Sequence, residues 1–280
     1  MANDTPQADA LFTGYGDDVI EIARRIERGD PVTRAEIEAL PDGANGRYGE
    51  NITLLFHAFG GRTRRPNLSA IDALLAAGAD PYAFDRPDRK KRRRFVYYLT
   101  EPQHPFQIDP VNEETLAERQ AMLNEVIALF LRHGGDPNYR TGNYGSPLIA
   151  DVALVDNAAG VRMMLEAGGD LWLEDEKLGS GVRLLASESE RNADLLDDLL
   201  DSSSFSSLTR NQVEEALIGL STYSQRGDER SRLNQRLAKR FLKRVPDYPD
   251  DRYTQRIFKG HYNDPPAAIP WDEIRSDAVR

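Results

Sequence analysis

The sequence of 280 residues contains no cysteine, which excludes disulfide bonds and metal sites built from thiolates. It also lacks a run of about 18 apolar residues, the length that a membrane-spanning helix needs. The N-terminal stretch MANDTPQADALFTGYGDD is acidic and has neither the basic nor the apolar region of a signal peptide. From these absences we predict a cytoplasmic protein that does not span a membrane.

Histidine is also scarce, with four copies at His57, His104, His133 and His261. No pair has the His-x-x-x-His spacing of a metal site, and none has a second ligand nearby at a suitable spacing. The sequence has no Gly-x-Ser-x-Gly motif, and GSGVRLL at 179–185 lacks the Gly-Lys-Ser/Thr ending of a phosphate loop. We therefore predict structural roles for His57 and His133, and no catalytic residue, metal ion or cofactor.

The formal net charge is −10 at pH 7, while 40% of the residues are hydrophobic. This apolar content is sufficient for a folded body, and the negative charge favours a basic protein as partner. It opposes general binding to nucleic acid, although RKKRRR at 89–94 has the clustered basic residues that phosphate contacts need. We interpret this run as a solvated helix entrance, and the acidic runs at 173–176 and 195–201 as solvated surface.

Three segments of the chain align without gaps: IDALLAAGADPYAFD (71–85), IALFLRHGGDPNYRT (127–141) and VRMMLEAGGDLWLED (161–175). Each has two adjacent apolar residues followed by a glycine, a small residue and an aspartate. The step from Asp136 to Asp170 is 34 residues. The step from Asp80 to Asp136 is 56, which is one such unit plus an insertion of about 23 residues. A shorter echo lies at 20–33.

Signatures of a helix start open the units, with TLLFHA at 53–58, SPLIAD at 146–151 and VRLLAS at 182–187. The step from Ser146 to Val182 is 36 residues, close to the same period. A turn, a short first helix, a second helix with an apolar pair and a Gly-x-Asp hairpin together resemble the ankyrin repeat.

The resemblance extends over about residues 17–205, and it is clearest at 143–175 and next at 51–85. Segment 177–205 is degenerate because SSSF replaces Gly-Gly-Asp. The resemblance implies an all-α, ankyrin-repeat-like solenoid of helix–turn–helix units with a helical C-terminal cap. It also implies an N-terminal capping region with a degenerate repeat, ankyrin-like repeats with one insertion, and a helical cap with an irregular tail: 1–50, 51–205 (insertion near 86–119) and 206–280.

Local signals predict the ends of the elements. A left-handed residue that terminates a helix is expected after each apolar pair, at Gly78, Gly134 and Gly168. Helices are predicted at 17–28, 95–99, 116–132 and 229–244, and capping boxes at Thr33/Glu36 and Thr209/Gln212. The stretch 245–274 is rich in proline, aspartate and aromatic residues, and we predict that it lacks regular structure.

Ankyrin-like proteins typically bind other proteins through their hairpin tips and the face of their first helices, and the resemblance implies the same surfaces here. The hairpin-tip positions predicted to bind a partner are Tyr82, Phe84, Asp85, Arg86, Tyr139, Arg140, Asn143, Tyr144, Trp172, Glu174 and Asp175. Tyr, Trp and Arg are frequent at the energetic centres of interfaces. For Tyr139 and Trp172, packing onto the next hairpin is an equally good interpretation.

Together these observations favour a protein–protein interaction module without catalytic activity. The more specific hypothesis is an inhibitor or immunity protein that neutralises a basic toxin or enzyme. A scaffold or regulatory adaptor is one alternative, which differs only in what the partner does. The other alternative is an effector enzyme that uses the repeats for targeting. It would need a site within 206–280, where the candidates are His261, Asp264, Asp272 and Glu273.

Overall fold

The computed structural model describes residues 7–49, 52–60, 65–83, 95–100, 113–141, 145–155, 157–175, 179–222, 228–259 and 269–276. This part of the chain is mostly helical, which confirms the all-α prediction. The chain divides into two compact units, residues 1–137 and 138–280. Among the described residues, no helix has the length and hydropathy needed to cross a bilayer.

The helices of the first unit follow one another as consecutive pairs. They are α1 (Gln7–Leu11), α2 (Asp17–Arg28), α3 (Arg34–Glu38), α4 (Leu54–Ala58), α5 (Leu68–Ala76), α6 (Phe95–Tyr98) and α7 (Glu113–Arg132). Helix α2 packs against α4, while α3 packs against α5 and α5 against α7. The first helix of one pair thus contacts the first helix of the next, and second helices likewise contact second helices.

The sequence of α2 and α3 shows why these helices form. In α2, apolar residues recur at helical spacing and their side chains are buried, at Val19, Ile22, Ala23 and Ile26. Helix α3 begins with the predicted capping box, because Thr33 accepts the N–H of Glu36 and the Glu36 carboxylate accepts the N–H of Thr33. The predicted helices at 17–28, 95–99 and 116–132 correspond to α2, α6 and α7.

Two buried polar side chains join consecutive pairs in the first unit. The Nε2 atom of His57 lies 3.1 Å from the carbonyl oxygen of Ala23, and its ring meets Phe12 edge to face. The side chain of Asn67 caps α5 and donates to the carbonyl oxygens of Ile26 and Asp30 at 3.3 and 2.9 Å. Because both groups satisfy buried backbone atoms, their role is structural, as predicted for His57.

The described part of the second unit contains two short β-hairpins and eight α-helices. They are β1 (Arg140–Thr141), β2 (Ser146–Pro147), α8 (Leu148–Leu154), α9 (Ala158–Glu166), β3 (Glu174–Asp175), β4 (Gly179–Ser180), α10 (Gly181–Ser187), α11 (Ser189–Asp201), α12 (Arg210–Thr222), α13 (Asp228–Leu242), α14 (Arg252–Lys259) and α15 (Trp271–Ser276). Strand β1 pairs antiparallel with β2, and β3 pairs antiparallel with β4.

Helix packing in the second unit continues past the segment that resembles repeats. Helix α10 packs against α8 on one side and α12 on the other, and α11 packs against α13. The close approach of α12 to α10 requires Gly219, because a Cβ there would lie 2.3 Å from the carbonyl oxygen of Arg183. The pair α12–α13 therefore occupies the position of a further helix pair, although it lacks the Gly-x-Asp signature.

Helix α13, predicted at 229–244 as a basic helix, packs on the acidic helix α11. The carboxylate of Asp197 accepts from Arg236 at 2.7 Å and also from Arg240, which in addition contacts Asp201. The guanidinium of Arg244 donates to the carbonyl oxygen of Leu200 at 2.5 Å. These contacts neutralise the acidic end of α11, so much of the positive charge of α13 is used inside the fold.

The prediction that 245–274 lacks regular structure is wrong where the chain is described, because α14 and α15 form there. Asp251 accepts the N–H groups of Tyr253 and Thr254 at 2.9 and 3.0 Å, which starts α14, and Ile257 and Phe258 are buried. The proline and aspartate content of the segment concealed a capped amphipathic helix. The basic run at 89–94 lies outside the described residues, and so do residues 86–94 and 101–112 of the insertion predicted near 86–119.

Candidate protein-binding surface

The three Gly-x-Asp turns have the predicted backbone. Positive φ angles of 84°, 81° and 89° occur at Gly78, Gly134 and Gly168. In the first and third turns the aspartate orders the chain that follows. The carboxylates of Asp80 and Asp170 accept the N–H of the residue two positions later, both at 2.8 Å. That later residue, Tyr82 or Trp172, is therefore held in a defined position.

In the first unit, side chains join each turn to the next. The Asn45 amide donates to the carbonyl oxygen of Gly78 at 2.9 Å and accepts the N–H of Asp80 at 2.7 Å. The hydroxyl oxygen of Tyr82 accepts the N–H of Asp136 at 2.8 Å, and burial raises the pKa of this hydroxyl. Tyr82, predicted to bind a partner, thus also has a role within the fold.

The second unit repeats this arrangement with other side chains. Asn138 donates to the carbonyl oxygen of Gly168 at 3.1 Å and accepts the N–H of Asp170 at 2.8 Å, as Asn45 does in the first unit. The Trp172 ring packs on Phe205 with a centroid distance of 5.1 Å. Phe205 is buried in the short 3-10 turn formed by SSSF, so for Trp172 packing on the next turn is the observed state.

The two hairpins of the second unit are joined side by side. The guanidinium of Arg140 donates to the carbonyl oxygens of Gly145 and Glu174 at 2.6 and 3.2 Å. The hydroxyl of Ser146 donates to the Asp175 carboxylate at 2.7 Å. We call the described residues of these hairpins the turn surface: 138–141, 145–147, 170–175 and 179–180. Its shape is set by contacts from one hairpin to the other.

Behind the turn surface lies a pair of carboxyl groups. Asp151, in the first turn of α8, accepts from the hydroxyl of Thr141, and Asp175 accepts from Ser146. Burial, helped by the negative charge of Asp175, raises the pKa of Asp151 to about 6, although hydrogen bonds from Thr141 and Ser146 lower it. The half-buried Asp151 therefore holds its proton to a higher pH than an exposed aspartate does.

The predicted binding residues divide by exposure. Arg140 and Glu174 are exposed, Tyr82, Tyr139 and Trp172 are partly buried, and Asp175 is buried. The side chain of Glu174 is exposed and makes no hydrogen bond to the other described residues; only its backbone carbonyl accepts from Arg140. The remaining predicted positions lie outside the described residues: Phe84, Asp85, Arg86, Asn143 and Tyr144. The structure therefore brings Tyr139, Arg140, Trp172 and Glu174 onto one surface, whereas Asp175, also predicted to bind a partner, is buried and accepts from Ser146.

The segment that carries this surface is strongly acidic. Residues 138–205 contain 5 Lys or Arg and 13 Asp or Glu, a formal charge of −8. Residues 206–280 contain 14 Lys or Arg and 11 Asp or Glu, a formal charge of +3. The large hydrophobic side chain of Leu154, at the end of the first helix α8, is 49% exposed. Acidic groups with an exposed apolar side chain nearby in sequence suit a basic partner that also offers an apolar contact.

Histidines and carboxylates outside the turn surface are the other groups that could carry chemistry. His133, the other described histidine, hydrogen bonds through Nε2 to the Asp72 carboxylate at 2.8 Å. In the described ranges, no group of three or more His, Asp or Glu side chains could hold a metal ion. Of the C-terminal candidates, Glu273 pairs with Lys239 at 3.0 Å, while His261 and Asp264 lie outside the described residues.

Sequence reasoning missed three residues that shape the site. Asn138 bridges to the next turn, Ser146 links the two hairpins, and Asp151 completes the carboxyl pair. The sequence did contain a signal for Asn138. Tyr82, Asn138 and Trp172 each lie two residues after the aspartate of their turn, so Asn138 occupies the same position as two predicted binding residues. For Asp151 no local signal existed, since its partners come from two hairpins.

Comparison with known proteins gives no family assignment. No protein-family model matches the chain, and no curated protein matches it either.

Proposed function

We propose that this chain is an ankyrin-like solenoid protein of the cytoplasm that binds a basic protein through its turn surface and inhibits it, without catalysis. The observation that carries the proposal is the joining of successive turns by side chains: Asn138 to the next turn, Arg140 to the β3 backbone and Ser146 to Asp175. A surface held in this way loses little conformational entropy when a partner binds.

The solenoid part of the proposal rests on packing and period. In each unit, first helices contact first helices and second helices contact second helices, which is how stacked repeats bury their apolar faces. The left-handed glycines at the ends of second helices and the bridges from Asn45 and Asn138 recur at corresponding positions. These features support a repeat origin independently of the partner.

The charge supports a basic partner. The turn surface contains Arg140 and the acids Asp170, Glu174 and Asp175, a formal charge of −2. This charge attracts positive groups over about one Debye length, roughly 8–10 Å at physiological ionic strength. An inhibitor of a toxin or enzyme uses such complementarity to bind quickly and selectively. An adaptor would use the same surface, and the two differ in what happens to the activity of the partner.

The test begins with capture of the partner from the native host by the tagged chain, followed by titration of variants. Glu174→Arg reverses an exposed charge on the turn surface, and we expect affinity to fall at least about tenfold because like charges would then face each other. Asp194→Arg makes the same change at an exposed position on α11 and is the matched control. Equal affinities for both variants would contradict the proposed surface. Retained activity of the bound partner would favour the adaptor.

A further inference from the structure

The hairpin β3–β4 is the last hairpin in the described part of the chain. The hairpin before it, β1–β2, is held by its successor, because Ser146 of β2 donates to the Asp175 carboxylate of β3 at 2.7 Å. In the sequence, SSSF stands where the earlier units have Gly-x-Asp, so that signature does not follow β4. A contact of another kind must therefore hold the last hairpin.

Helix α12 supplies this contact through Glu215. The Oε2 atom of Glu215 accepts the N–H of Ser180, in β4, at 3.0 Å. Its Oε1 atom lies 3.7 Å from Nη1 of Arg183, in α10. Ser180 is 0% exposed and the Glu215 side chain is 18% exposed, so water competes little for this hydrogen bond. A carboxylate that accepts a backbone N–H in such surroundings makes one of the stronger hydrogen bonds of a protein.

A glycine beside this contact leaves room for the carboxylate. Gly179 has a φ of 80°, a conformation that glycine adopts without strain. A Cβ atom there would lie 2.6 Å from Oε2 of Glu215 and 2.7 Å from Cδ of Arg183. A side chain at this position would therefore displace the carboxylate from the Ser180 amide. The sequence of β4 thus fits the close approach of Glu215.

The register of the two hairpins shows what Glu215 replaces. Ser146 pairs with Thr141 in the first hairpin. Gly179 pairs with Asp175 in the second, and so takes the position that Ser146 has in the first. Beside Ser146 lies a carboxylate of the following hairpin, while beside Gly179 lies the carboxylate of α12. Each hairpin is thus held at the same point by a carboxylate from an element that follows it.

We infer that Glu215 is a positioning residue of the turn surface, whose carboxylate holds the last hairpin in place of a further repeat. Its effect reaches the exposed part of the surface through the strand pair, because Ser180 is the register partner of Glu174. The Glu174 backbone is thus held by Arg140 from the first hairpin and, through β4, by α12. Residues 206–280 accordingly contribute to partner binding by fixing the surface.

The role of Glu215 in binding rests on the proposed function, whereas its role in positioning is a property of the free chain. Without the carboxylate, the buried N–H of Ser180 has lost its acceptor, and β4 is free to move away from α12. A partner would then have to order the hairpin as it binds, which lowers the affinity. The two roles are therefore measured separately.

The first measurement is hydrogen exchange of the free protein, with Glu215→Ala and Glu215→Gln compared with the wild type. Glutamine keeps an acceptor oxygen for the Ser180 N–H but removes the charge. Glu214→Ala removes a partly exposed carboxylate from the adjacent position of α12 and is the matched control. Exchange of the Ser180 amide should accelerate at least about tenfold in Glu215→Ala, less in Glu215→Gln, and remain at the wild-type rate in Glu214→Ala.

A second amide distinguishes positioning from general stability. The amide of Leu217, which is buried in α12, should exchange at the wild-type rate in all the variants, because the lost contact is local. Unchanged exchange of Ser180 in Glu215→Ala would overturn the inference. Equal acceleration of Ser180 and Leu217 would also overturn it, since Glu215 would then stabilise the whole unit instead of positioning β4.

The second measurement is titration with the partner that the tagged chain captures. Glu215→Ala should weaken binding at least about threefold, with Glu215→Gln closer to the wild type and Glu214→Ala unchanged. Wild-type affinity of Glu215→Ala beside reduced affinity of Glu174→Arg would overturn the role of Glu215 in binding. Wild-type affinity of Glu174→Arg as well would overturn the proposed function, and the role in binding with it. The exchange rate of Ser180 would then still decide the positioning role.

Discussion

Residues 138–205 and 206–280 share one pattern of helix packing but differ in their turns and in their charge. Helix α10 packs on α8 and on α12 alike, yet the Gly-x-Asp turn and the paired hairpins are confined, in the described part of this unit, to the first region. The first region carries −8 and the second +3. Apolar helix faces are therefore sufficient for stacking, whereas the turns create a surface.

The two regions also differ in how their elements are joined. In 138–205 the joins between hairpins are hydrogen bonds to backbone atoms and to a buried carboxyl. The join to the second region, between α11 and α13, also contains hydrogen bonds, from Ser189 to Asn234 and from Arg244 to the carbonyl oxygen of Leu200, but it adds ion pairs around Asp197. Hydrogen bonds to buried groups depend strictly on geometry, while partly exposed ion pairs tolerate movement. The first region is therefore the better suited to present a fixed surface.

Removal of a packing contact that both regions share should destabilise the chain most. Leu185 is fully buried in α10, the helix that packs on α8 and on α12. We expect Leu185→Ala to lower the free energy of unfolding by about 2–5 kcal/mol, because it leaves a cavity in the core. Leu184→Ala, at a partly exposed position of the same helix, should cost less in the same urea titration. Similar losses for both variants would show that α10 does not hold the two regions together as described.

A smaller loss of stability is expected when the side-chain bridge between turns, which is found in the first region, is removed. Asn138→Ala removes the bridge to Gly168 and Asp170, and we expect a loss of about 1 kcal/mol in the free energy of unfolding. Asn138→Asp keeps the acceptor for the N–H of Asp170 but places a carboxylate oxygen against the carbonyl of Gly168. Hydrogen exchange of the Asp170 amide should therefore accelerate in the alanine variant, and it should accelerate less in the aspartate variant. Unchanged exchange in both would mean that the bridge does not order the turn.

Local signals in the sequence predicted the parts of the fold that local chemistry determines. The left-handed glycines, the capping boxes at Thr33/Glu36 and Thr209/Gln212, and the helix at 17–28 are all confirmed. In each case the groups that contact each other lie within a few residues in sequence, so a short motif is sufficient to predict the contact. Helix α14, which was not predicted, also begins with a local capping contact, between Asp251 and Thr254, but the prolines nearby argued against a helix.

The candidate site was less predictable because its contacts join distant residues. The sequence identified Tyr139, Arg140, Trp172, Glu174 and Asp175 as one surface through their positions in the turns. It did not show that Trp172 packs on Phe205, that Arg140 reaches the carbonyl of Glu174, or that Asp175 is buried. Each of these facts depends on the separation between successive turns, which packing of the helices determines and which no single segment encodes.

The smallest expected effect concerns the ion pairs that join the second region to the first. Arg236 and Asp197 lie 2.7 Å apart, but the guanidinium side chain is 51% exposed, so solvent screens much of the attraction. A double-mutant cycle with Arg236→Ala and Asp197→Ala should give a coupling energy of about 0.2–1 kcal/mol at low salt. The coupling should shrink further in 1 M NaCl, where the Debye length is about 3 Å. Leu185→Ala measured in both salts is the control, since loss of apolar packing is not screened in this way. A coupling above about 2 kcal/mol that persists in high salt would show that Asp197 acts as a buried anchor, and the contrast between geometric joins in 138–205 and tolerant ion pairs at α13 would then fail.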